Sequence, residues 1–346
     1  MNIFVTGGSG FIGREVIAQL LSTTDNQIIN IDCLSYAGDF YKSLASSLDD
    51  EHKERYVFER VNLCYVNSLE LLFNKHKPSF LIHLAAESHV DQSIESPSNF
   101  IQSNIIGTFN LLECVRKYLL KFPALTENFK FLHVSTDEVF GDLSIDDNAF
   151  TEASPIRPSS PYSASKASSD LLVDAWVRTH NLPCMISHCS NNYGQYQHPE
   201  KLIPFMIKKA ISHEVLTIYG DGENIRDWLH VSDHASALID ILFKGQVGRH
   251  YNVGGSNEQT NNNIVKLICE ELTSIDEKKE RPKFDYSKLI KYIIDRKGHD
   301  IRYAINSSRI HDELGWSAKI GFEEGFRQTV RWYYSYFSSL KETNGK

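Results

Sequence analysis

The chain has 346 residues, of which 41% are hydrophobic and 11% aromatic, and this composition excludes a disordered or collagen-like protein. Its 36 Lys and Arg against 44 Asp and Glu give a formal charge of −8, with no long basic run that would attract nucleic acid or an anionic membrane. We therefore expect neither partner. The length is sufficient for one large or two medium domains with a cleft between them.

The cysteine and histidine patterns indicate a compartment and argue against a metal site. The six cysteines form no C-x-x-C pair and lie in apolar stretches, which predicts buried thiols in a reducing environment. The first residues are typical of a strand rather than a signal peptide, and no run of about 18 apolar residues predicts a membrane span. The fourteen histidines show no H-E-x-x-H spacing, so we expect no metal. A cytoplasmic location is the resulting expectation.

In the first half, short apolar runs alternate with amphipathic segments of helix length. This alternation of strands and helices predicts a parallel sheet that is covered on both faces and built from right-handed crossovers. The predicted fold class is therefore α/β, with a doubly wound parallel sheet. The predicted strands lie at 3–5, 28–31, 56–58, 80–84 and 129–134.

Beyond about residue 190, the pattern changes to loops rich in Gly, Asn and Asp. Short strands are predicted near 216–219 and 250–253, and a helix with an aromatic face is predicted at 322–340. We interpret this half as a smaller α+β part that binds the substrate. The predicted domains are 1–190 and 191–346, with an approximate boundary that segments can cross. Further helices are predicted near 203–210, 232–243 and 262–272.

A glycine-rich loop follows the first strand, with Gly7, Gly10 and Gly13 spaced as G-x-x-G-x-x-G before a helix-forming run. Such a loop lets the backbone approach a pyrophosphate, although glycine-rich turns also serve only to reverse the chain. The second strand ends in Asp32, whose carboxylate would bind the adenosine ribose and repel a 2′-phosphate. Together these features predict an NAD-binding Rossmann fold, with Arg14 as a 2′-phosphate ligand left as the alternative.

Tyr162 and Lys166 lie four residues apart in a run, 162–180, that is compatible with a helix, so phenol and ammonium share one face. A nearby ammonium lowers the pKa of a phenol, which can then act as a base near neutral pH. Pairs with this spacing also occur by chance. The pair alone therefore does not establish chemistry.

Asp137 and Glu138 follow a predicted strand at Thr136. Successive strand residues point to opposite faces, so the two carboxyls converge only if the chain leaves the strand at Thr136. A solvated turn or a helix cap is the alternative. Their position at the carboxyl end of a central strand, where open α/β sheets bind ligands, favours a functional role.

These motifs resemble the extended short-chain dehydrogenase/reductase family and, more narrowly, the dTDP-glucose 4,6-dehydratases. Matching segments run in family order from residue 3 to about 333, which is far more specific than any single motif. They lie at 83–91 (HLAAESHVD), 134–141 (VSTDEVFG), 160–170 (SPYSASKASSD), 190–194 (SNNYG), 199–204 (PEKLIP), 226–229 (RDWL) and 298–300 (GHD).

The resemblance implies a three-step reaction on dTDP-glucose. Tyr162, supported by Lys166, takes the proton of the 4-hydroxyl while hydride passes from carbon 4 to NAD⁺, and Thr136 holds the hydroxyl. Glu138 then acts as base at carbon 5 and Asp137 as acid at the 6-hydroxyl, and water leaves. The hydride returns to carbon 6, so there is no net redox change. Asp137 must keep a proton, which burial beside a second carboxylate would achieve.

Site residues are also implied by matching position. The implied cofactor contacts are Gly7, Gly10, Phe11, Ile12, Gly13, Asp32, Asn62, Leu63, Leu84, Ala85, Ala86, Ser103, Tyr162, Lys166 and Asn192. The implied substrate contacts are Ser88, Thr136, Asn191, Lys201, Leu202, Pro204, Tyr219, Arg226, Asn261 and His299. A guanidinium at 226 suits a diphosphate, and a surface salt bridge with Asp221, Glu223 or Asp227 is the alternative.

Departures from the family pattern leave the nucleobase of the substrate undecided. Cys33, Asn62, His230 and Lys297 replace the family's usual residues, and the last two are expected near the nucleotide, so thymine and uracil both remain. A nucleotide-sugar 4-epimerase would not need the adjacent carboxyl pair. A non-catalytic NAD-binding regulator would be expected to lack one of the five catalytic residues, and all five are present.

Two helices predicted at 98–121 and 162–180 are apolar on more than one face. A helix that buries only one stripe does not need this, so the pattern indicates pairing with a second copy of the chain. The family resemblance implies the same arrangement. We therefore expect a homodimer joined by a four-helix bundle.

Overall fold

The computed structural model describes residues 1–35, 43–280, 282 and 284–344. The strands are β1 (Asn2–Thr6), β2 (Gln27–Asp32), β3 (Tyr56–Arg60), β4 (Phe80–His83), β5 (Lys130–Thr136), β6 (Cys184–Cys189), β7 (Asn191–Tyr193), β8 (Leu216–Tyr219), β9 (Ile225–His230), β10 (His250–Val253), β11 (Glu258–Thr260) and β12 (Ile290–Ile293). The α-helices are α1 (Phe11–Thr23), α2 (Asp50–Glu54), α3 (Val66–His76), α4 (Val90–Glu95), α5 (Pro97–Phe100), α6 (Gly107–Lys121), α7 (Pro161–His180), α8 (Leu202–Ile211), α9 (Val231–Lys244), α10 (Asn261–Lys278), α11 (Ser308–Leu314) and α12 (Phe322–Asn344).

Within the described residues, the main sheet has seven parallel strands in the order β10-β6-β5-β4-β1-β2-β3. Ile3, Phe4 and Val5 of β1 are all fully buried, because helices cover both faces. One face packs against α1 and α9, and the other packs against α3, α6 and α7. The doubly wound α/β prediction is confirmed. The strand order reverses beside β1, where a crevice opens at the carboxyl ends of the strands.

The second half of the chain contributes a smaller part with its own core. Strands β11, β9 and β7 form one small sheet, and β12 pairs with β8. Helices α8, α10 and α12 enclose an apolar cluster that includes Ile207, Ile268 and Phe326. The α+β character predicted for this part is therefore observed.

One placement within the second half differs from the sequence-based prediction. The strand near 250–253 was expected in the smaller part, but β10 pairs in parallel with β6 and extends the main sheet. The helix predicted at 232–243, which is α9, packs against α1. A short apolar run fits an edge of either sheet, so the sequence carries no signal that distinguishes them. The chain thus returns to the first domain after residue 230.

The helices around the site begin and end close to the predicted positions. Helix α7 starts at Pro161 after a capping box in which Ser160 and Ser163 bond reciprocally. The helix predicted at 98–121 is present as α5 and α6, joined by a π-helical segment, Ile101–Ile106. Among the described residues, no helix combines the length and the apolar character needed to cross a bilayer.

Candidate active site

The glycine loop has the geometry of an anion cradle. Gly7 has φ +71°, and a Cβ atom on it would lie 2.6 Å from the backbone N of Ala85. A Cβ atom on Gly13 would lie 2.3 Å from the carbonyl oxygen of Gly7. Gly10 is the N-cap of α1 and provides no side-chain cap, which leaves the start of the helix open to an anion. Gly7 and Gly13 are therefore required by close backbone approach.

Asp32 ends β2 beside this cradle and lines the same cavity. Its Oδ2 accepts the backbone N–H of Ser9 at 3.0 Å, and its Oδ1 accepts that of Leu34 at 2.8 Å. Burial raises the pKa of Asp32, and these backbone N–H groups oppose the shift. The guanidinium of Arg14 lies over the ring of Tyr196, 4.1 Å from its centroid, and Arg14 does not line the cavity. This geometry favours an adenosine ribose without a 2′-phosphate.

The chain leaves β5 at Thr136 and enters a 3₁₀ turn, Asp137–Phe140, so both carboxyls reach the same cavity. The Thr136 hydroxyl accepts the N–H of Glu138 and lies 3.4 Å from Asp137 Oδ1. Asp137 is 1% exposed, and its Oδ2 has no hydrogen-bond partner among the described residues. Burial first, then the charge of Glu138, raise the pKa of Asp137 well above its ordinary value. Burial beside Glu138 therefore favours the protonated form of Asp137, which is the direction that its predicted role as an acid needs.

Glu138 has a different environment from Asp137. It is half-buried, and burial raises its pKa. The positive charges of Arg226, Lys201 and Arg296 oppose this shift. The two adjacent carboxyls are thus separated in proton affinity, which is the arrangement that assigns one as acid and the other as base.

Tyr162 and Lys166 both line this cavity, but the expected effect of the ammonium on the phenol is not observed. Burial, followed by the charge of Glu138, raises the pKa of Tyr162, and a hydrogen bond with Thr136 lowers it only in part. Lys166 Nζ donates to the carbonyl oxygen of Val134 at 2.9 Å, and burial lowers the pKa of its ammonium. Burial and the charge of Glu138 therefore favour the protonated phenol.

Asp170 lies one turn after Lys166 on α7 and is completely buried. Its carboxylate accepts the Ser135 hydroxyl at 2.7 Å and lies 3.0 Å and 3.3 Å from the Nε2 atoms of His133 and His188. Burial opposes ionisation, but these hydrogen bonds outweigh it and hold the pKa of Asp170 far below its ordinary value. Asp170 is a buried anion that raises the pKa of Lys166. Sequence reasoning missed it, although its i, i+4 spacing from Lys166 was a usable signal.

Arg226 is a buried cation near the carboxyl pair. Its Nη2 donates to the carbonyl oxygen of Asp300 at 3.0 Å, and its guanidinium lies 4.3 Å from the ring centroid of Tyr303. It is only 7% exposed, so the surface salt bridge considered from the sequence is wrong. Its charge acts on both Asp137 and Glu138. A buried guanidinium held by carbonyl groups is suited to bind a diphosphate.

A histidine and two further cations, Arg296 and Lys201, lie in the same region. The Nδ1 atom of His299 lies 2.7 Å from Asp295, and its ring meets Tyr219 edge-on at 6.3 Å. Arg296, which sequence reasoning missed, contacts Asp91 at 3.4 Å, and its buried Nε has no partner within the described chain. The signal for it was its place two residues before the matched Gly298. Lys201 Nζ donates to the carbonyl oxygen of Ser88 at 2.7 Å and joins the two parts.

Comparisons with known proteins identify the family. The model of the family described as GDP-mannose 4,6 dehydratase matches residues 4–329. The chain is 51% identical to dTDP-glucose 4,6-dehydratase of Haemophilus influenzae, over 96% of this chain and 98% of that protein. The chain belongs to the dTDP-glucose 4,6-dehydratase family.

Solved structures agree with this assignment. The Streptomyces venezuelae dTDP-glucose 4,6-dehydratase DesIV, with NAD and TYD bound, is 37% identical and has a TM-score of 0.86, with 97% of each chain covered. The Bacillus anthracis dTDP-glucose 4,6-dehydratase in complex with NAD is 41% identical and has a TM-score of 0.82, again with 97% of each chain covered. The Rossmann architecture predicted from the sequence is therefore confirmed.

Most of the residues expected for this dehydratase family lie together. Every predicted cofactor position and all five predicted catalytic residues line one cavity of about 530 Å³. Ser88, Asn191, Lys201 and Leu202 of the predicted substrate contacts also line it. The remaining substrate positions are not among its lining residues, and these are Pro204, Tyr219, Arg226, Asn261 and His299.

The five outlying positions fall into two groups. Arg226 is one of the cations that act on Glu138, and the ring of Tyr219 packs against that of His299, whose pKa is lowered mainly by burial. Pro204 is buried within α8, and Asn261 begins α10 with its N–H bonded to the carbonyl oxygen of Asn224. Neither of these two lies where the cavity alone would place a substrate contact.

Two sequence-based expectations need correction, one on His230 and one on the burial of the thiols. His230 was expected near the nucleotide, but its ring packs 5.2 Å from that of Tyr193 and its Nδ1 caps α9. Two of the six thiols are not buried: Cys33 is exposed and Cys64 is half-buried, and both line the cavity. The side-chain oxygen of Asn62 accepts the N–H of Cys64 at 2.9 Å.

Proposed function

We propose that this chain converts dTDP-glucose to dTDP-4-keto-6-deoxyglucose, with NAD as an internal hydride carrier. The observation that carries the proposal is the adjacent pair Asp137 and Glu138 at the end of β5, which a dehydration needs and a 4-epimerisation does not. The names of the relatives at about half identity support the same reaction. The family membership therefore agrees with the chemistry of the site.

The residues present fit NAD. The glycine cradle accepts a pyrophosphate, Asp32 faces the position of an adenosine ribose, and Arg14 is engaged with Tyr196. When bound, NAD supplies a hydride acceptor for carbon 4, a positive charge in its oxidised ring, and later a hydride donor for carbon 6. Ser103 lies in the cavity wall because the π-helical segment Ile101–Ile106 precedes α6.

In the oxidation step, Tyr162 takes the proton of the sugar's 4-hydroxyl, and Thr136 holds the same hydroxyl. Burial and the charge of Glu138 raise the pKa of Tyr162, so nearby positive charge is needed for the phenolate to act as the base. Lys166 provides part of that charge, and Asp170 beneath it keeps the ammonium ionised in a buried position. Asp170 thus supports the base indirectly.

In the elimination step, the new ketone at carbon 4 acidifies the hydrogen at carbon 5. Glu138 takes that proton, and Asp137 gives its own proton to the departing 6-hydroxyl, which leaves as water. Glu138 then returns its proton to carbon 5 when hydride arrives at carbon 6. Burial of Asp137 beside Glu138 supports these roles, because it separates their proton affinities.

The nucleotide diphosphate is held by the cationic region. Arg226, Arg296 and Lys201 lie around Glu138 and supply positive charge in a chain whose net charge is −8. A guanidinium binds phosphate oxygens bidentately, and two such groups suit a diphosphate. The preference for thymine over uracil is part of the proposal and is tested below.

We also propose a homodimer in the cytoplasm. Phe109 on α6 and Leu171 on α7 are 39% and 56% exposed, and Ile101 beside them is 44% exposed. Phe109 packs edge-on against Trp176 at 5.8 Å, so α6 and α7 present one continuous apolar face. Two such faces would form a four-helix bundle around a twofold axis. The free thiols of the described cysteines fit a reducing compartment.

The reaction is tested by incubating the purified protein with dTDP-glucose and sub-stoichiometric NAD⁺ and following the nucleotide sugar by mass spectrometry. UDP-glucose and GDP-mannose are the parallel substrates. Loss of one water from dTDP-glucose alone, without NADH accumulating, is the expected result. Conversion to the galactose isomer at unchanged mass would refute the dehydratase in favour of the epimerase, and equal turnover of UDP-glucose would refute the base preference.

The roles of the two carboxyls are tested in deuterated water. Glu138→Gln should lose incorporation of deuterium at carbon 5, because no base removes that hydrogen. Asp137→Asn should retain hydride transfer from carbon 4 but slow the loss of water by about 10²- to 10⁴-fold. Asp146→Asn, a change of the same kind in an exposed turn, is the matched control. Unchanged dehydration in Asp137→Asn would contradict the assignment.

A further inference from the structure

A short segment after β7, residues 194–198, runs along the cofactor cavity, and we name it the strap. Tyr196, Gln197 and His198 of the strap line the same cavity as the glycine loop. The Nε2 atom of Gln197 donates to the carbonyl oxygen of Asn192 at 2.9 Å, which folds the strap back onto the end of β7. None of the three side chains has a role in the proton transfers proposed above.

The strap is fastened to the cofactor helix on one side. The guanidinium of Arg14 lies 4.1 Å from the ring centroid of Tyr196. Arg14 is in the first turn of α1, directly after Gly13 of the cradle. The contact therefore ties the strap to the element whose N-terminus faces the pyrophosphate site.

The other side of the strap is fastened to the C-terminal helix. The ring of Trp332 on α12 lies 4.7 Å from that of Tyr196 and is stacked on Tyr336 at 5.2 Å. The hydroxyl of Tyr333 donates to the carbonyl oxygens of Gly194 and Gln197, at 3.1 Å and 2.9 Å. Helix α12 thus supports the strap at both of its ends.

The backbone of the strap is held in a costly conformation. Tyr196 has φ +68°, a region that bulky residues rarely adopt, and Gly194 has φ +146°. Such conformations persist where the surrounding contacts over-determine them, and they concentrate at functional sites. The ring of Tyr196 is placed between Arg14 and Trp332 by this turn of the backbone.

We propose that Tyr196 retains the cofactor, with Arg14 and Trp332 clasping its ring so that the strap closes the cavity beside the glycine cradle. The inference rests on the proposed function, because a carrier that receives hydride in one step and returns it in a later one must not leave between them. Release of the cofactor requires the strap to move, which breaks both ring contacts of Tyr196. Arg14 and Trp332 act through Tyr196 and are positioning residues.

The proposal is tested by the dissociation rate of NADH, which needs no turnover. Protein loaded with NADH is mixed with excess NAD⁺, and the loss of bound-NADH fluorescence is followed in time. Tyr196→Leu and Arg14→Met should each accelerate release by about 5- to 30-fold, for loss of a partly desolvated cation–π contact. Trp332→Leu should accelerate it by about 2- to 10-fold, for loss of an aromatic pair. Tyr196→Phe keeps the ring and should release NADH within about twofold of the unmodified rate.

Two further variants separate a clasp from general loosening. Arg331→Met alters the neighbouring position on α12, which pairs with Glu271, and should leave the release rate unchanged. Arg14→Met combined with Tyr196→Leu should release NADH no faster than Tyr196→Leu alone, because both changes remove one contact. The proposed role of the strap would be overturned if Tyr196→Leu released NADH at the unmodified rate, or if Arg331→Met accelerated release as much as Tyr196→Leu does. Failure of the unmodified protein to bind NADH would overturn the cofactor assignment and the strap with it.

Discussion

Replacing Gly13 with Ala tests whether the cradle depends on backbone proximity. The added Cβ atom would lie 2.3 Å from Gly7 O and 2.6 Å from Gly8 Cα, and both are backbone atoms. Real Cβ contacts essentially never fall below 3.0 Å, so the loop and the start of α1 must separate by about 0.7 Å at Gly7 O. Overpacking of this kind costs about 1–3 kcal/mol of unfolding free energy.

The loss of cofactor affinity should exceed the loss of stability, because the displaced atoms are those that approach the pyrophosphate. We expect Gly13→Ala to weaken NAD binding by about 100-fold or more, measured by calorimetry, with a smaller shift of the thermal midpoint without cofactor. Gly10→Ala meets only Gly7 O, at 3.3 Å, and should have an intermediate effect. Gly321→Ala meets nothing within 4 Å and is the matched control. Wild-type affinity in Gly13→Ala would refute the reasoning.

Three other outcomes follow from buried charge and exposed apolar surface. Asp170→Asn should lower the free energy of unfolding by about 3–5 kcal/mol, measured in urea, because Lys166 loses its buried counter-charge, and an unchanged midpoint would contradict this. Burial lowers the pKa of His133 from 6.5 to about 4, so as the pH falls the unfolded chain binds a proton at this residue before the folded chain does. The stability that neutral His133 gives the folded state is therefore present above pH 6.5 and is lost as pH falls towards 4. His133 should contribute about 2 kcal/mol less at pH 5 than at pH 7, and His133→Asn should flatten the dependence. Phe109→Ser with Leu171→Ser should give monomers by light scattering, whereas Leu71→Ser, at an exposed position on α3, should not.

Much of the first domain could be predicted because its signals are local. Each of the five predicted strands is present, since an apolar run between turn residues leaves little choice in a sheet covered on both faces. The glycine loop and Asp32 were predictable for the same reason: turn, helix start and strand end follow one another along the chain. The departure from β5 at Thr136 was stated as a condition, and the 3₁₀ turn at Asp137–Phe140 satisfies it.

The features that sequence reasoning missed depend on contacts between distant segments. The pairing of β10 with β6, the cation of Arg296 beside Glu138, and the contact of Arg14 with Tyr196 each join residues more than 60 positions apart. Spacing along the chain carries no information about them. The direction of the pKa shift of Tyr162 was misjudged for a related reason: the Lys166 spacing was visible in the sequence, but the burial of the phenol and the charges of Glu138 and Asp137 were not.

The number and placement of acid and base groups in the site favour dehydration more strongly than the fold does. Asp137 is buried with one oxygen lacking a hydrogen-bond partner among the described residues, which costs about 1–3 kcal/mol. An enzyme that only moves hydride to and from carbon 4 gains nothing from this cost, because Tyr162 already serves as its acid and base. An elimination needs a second proton donor that stays protonated beside a base, and Asp137 next to Glu138 meets that need. The stability that the protein loses by burying Asp137 is therefore evidence for the elimination reaction, which needs this buried acid.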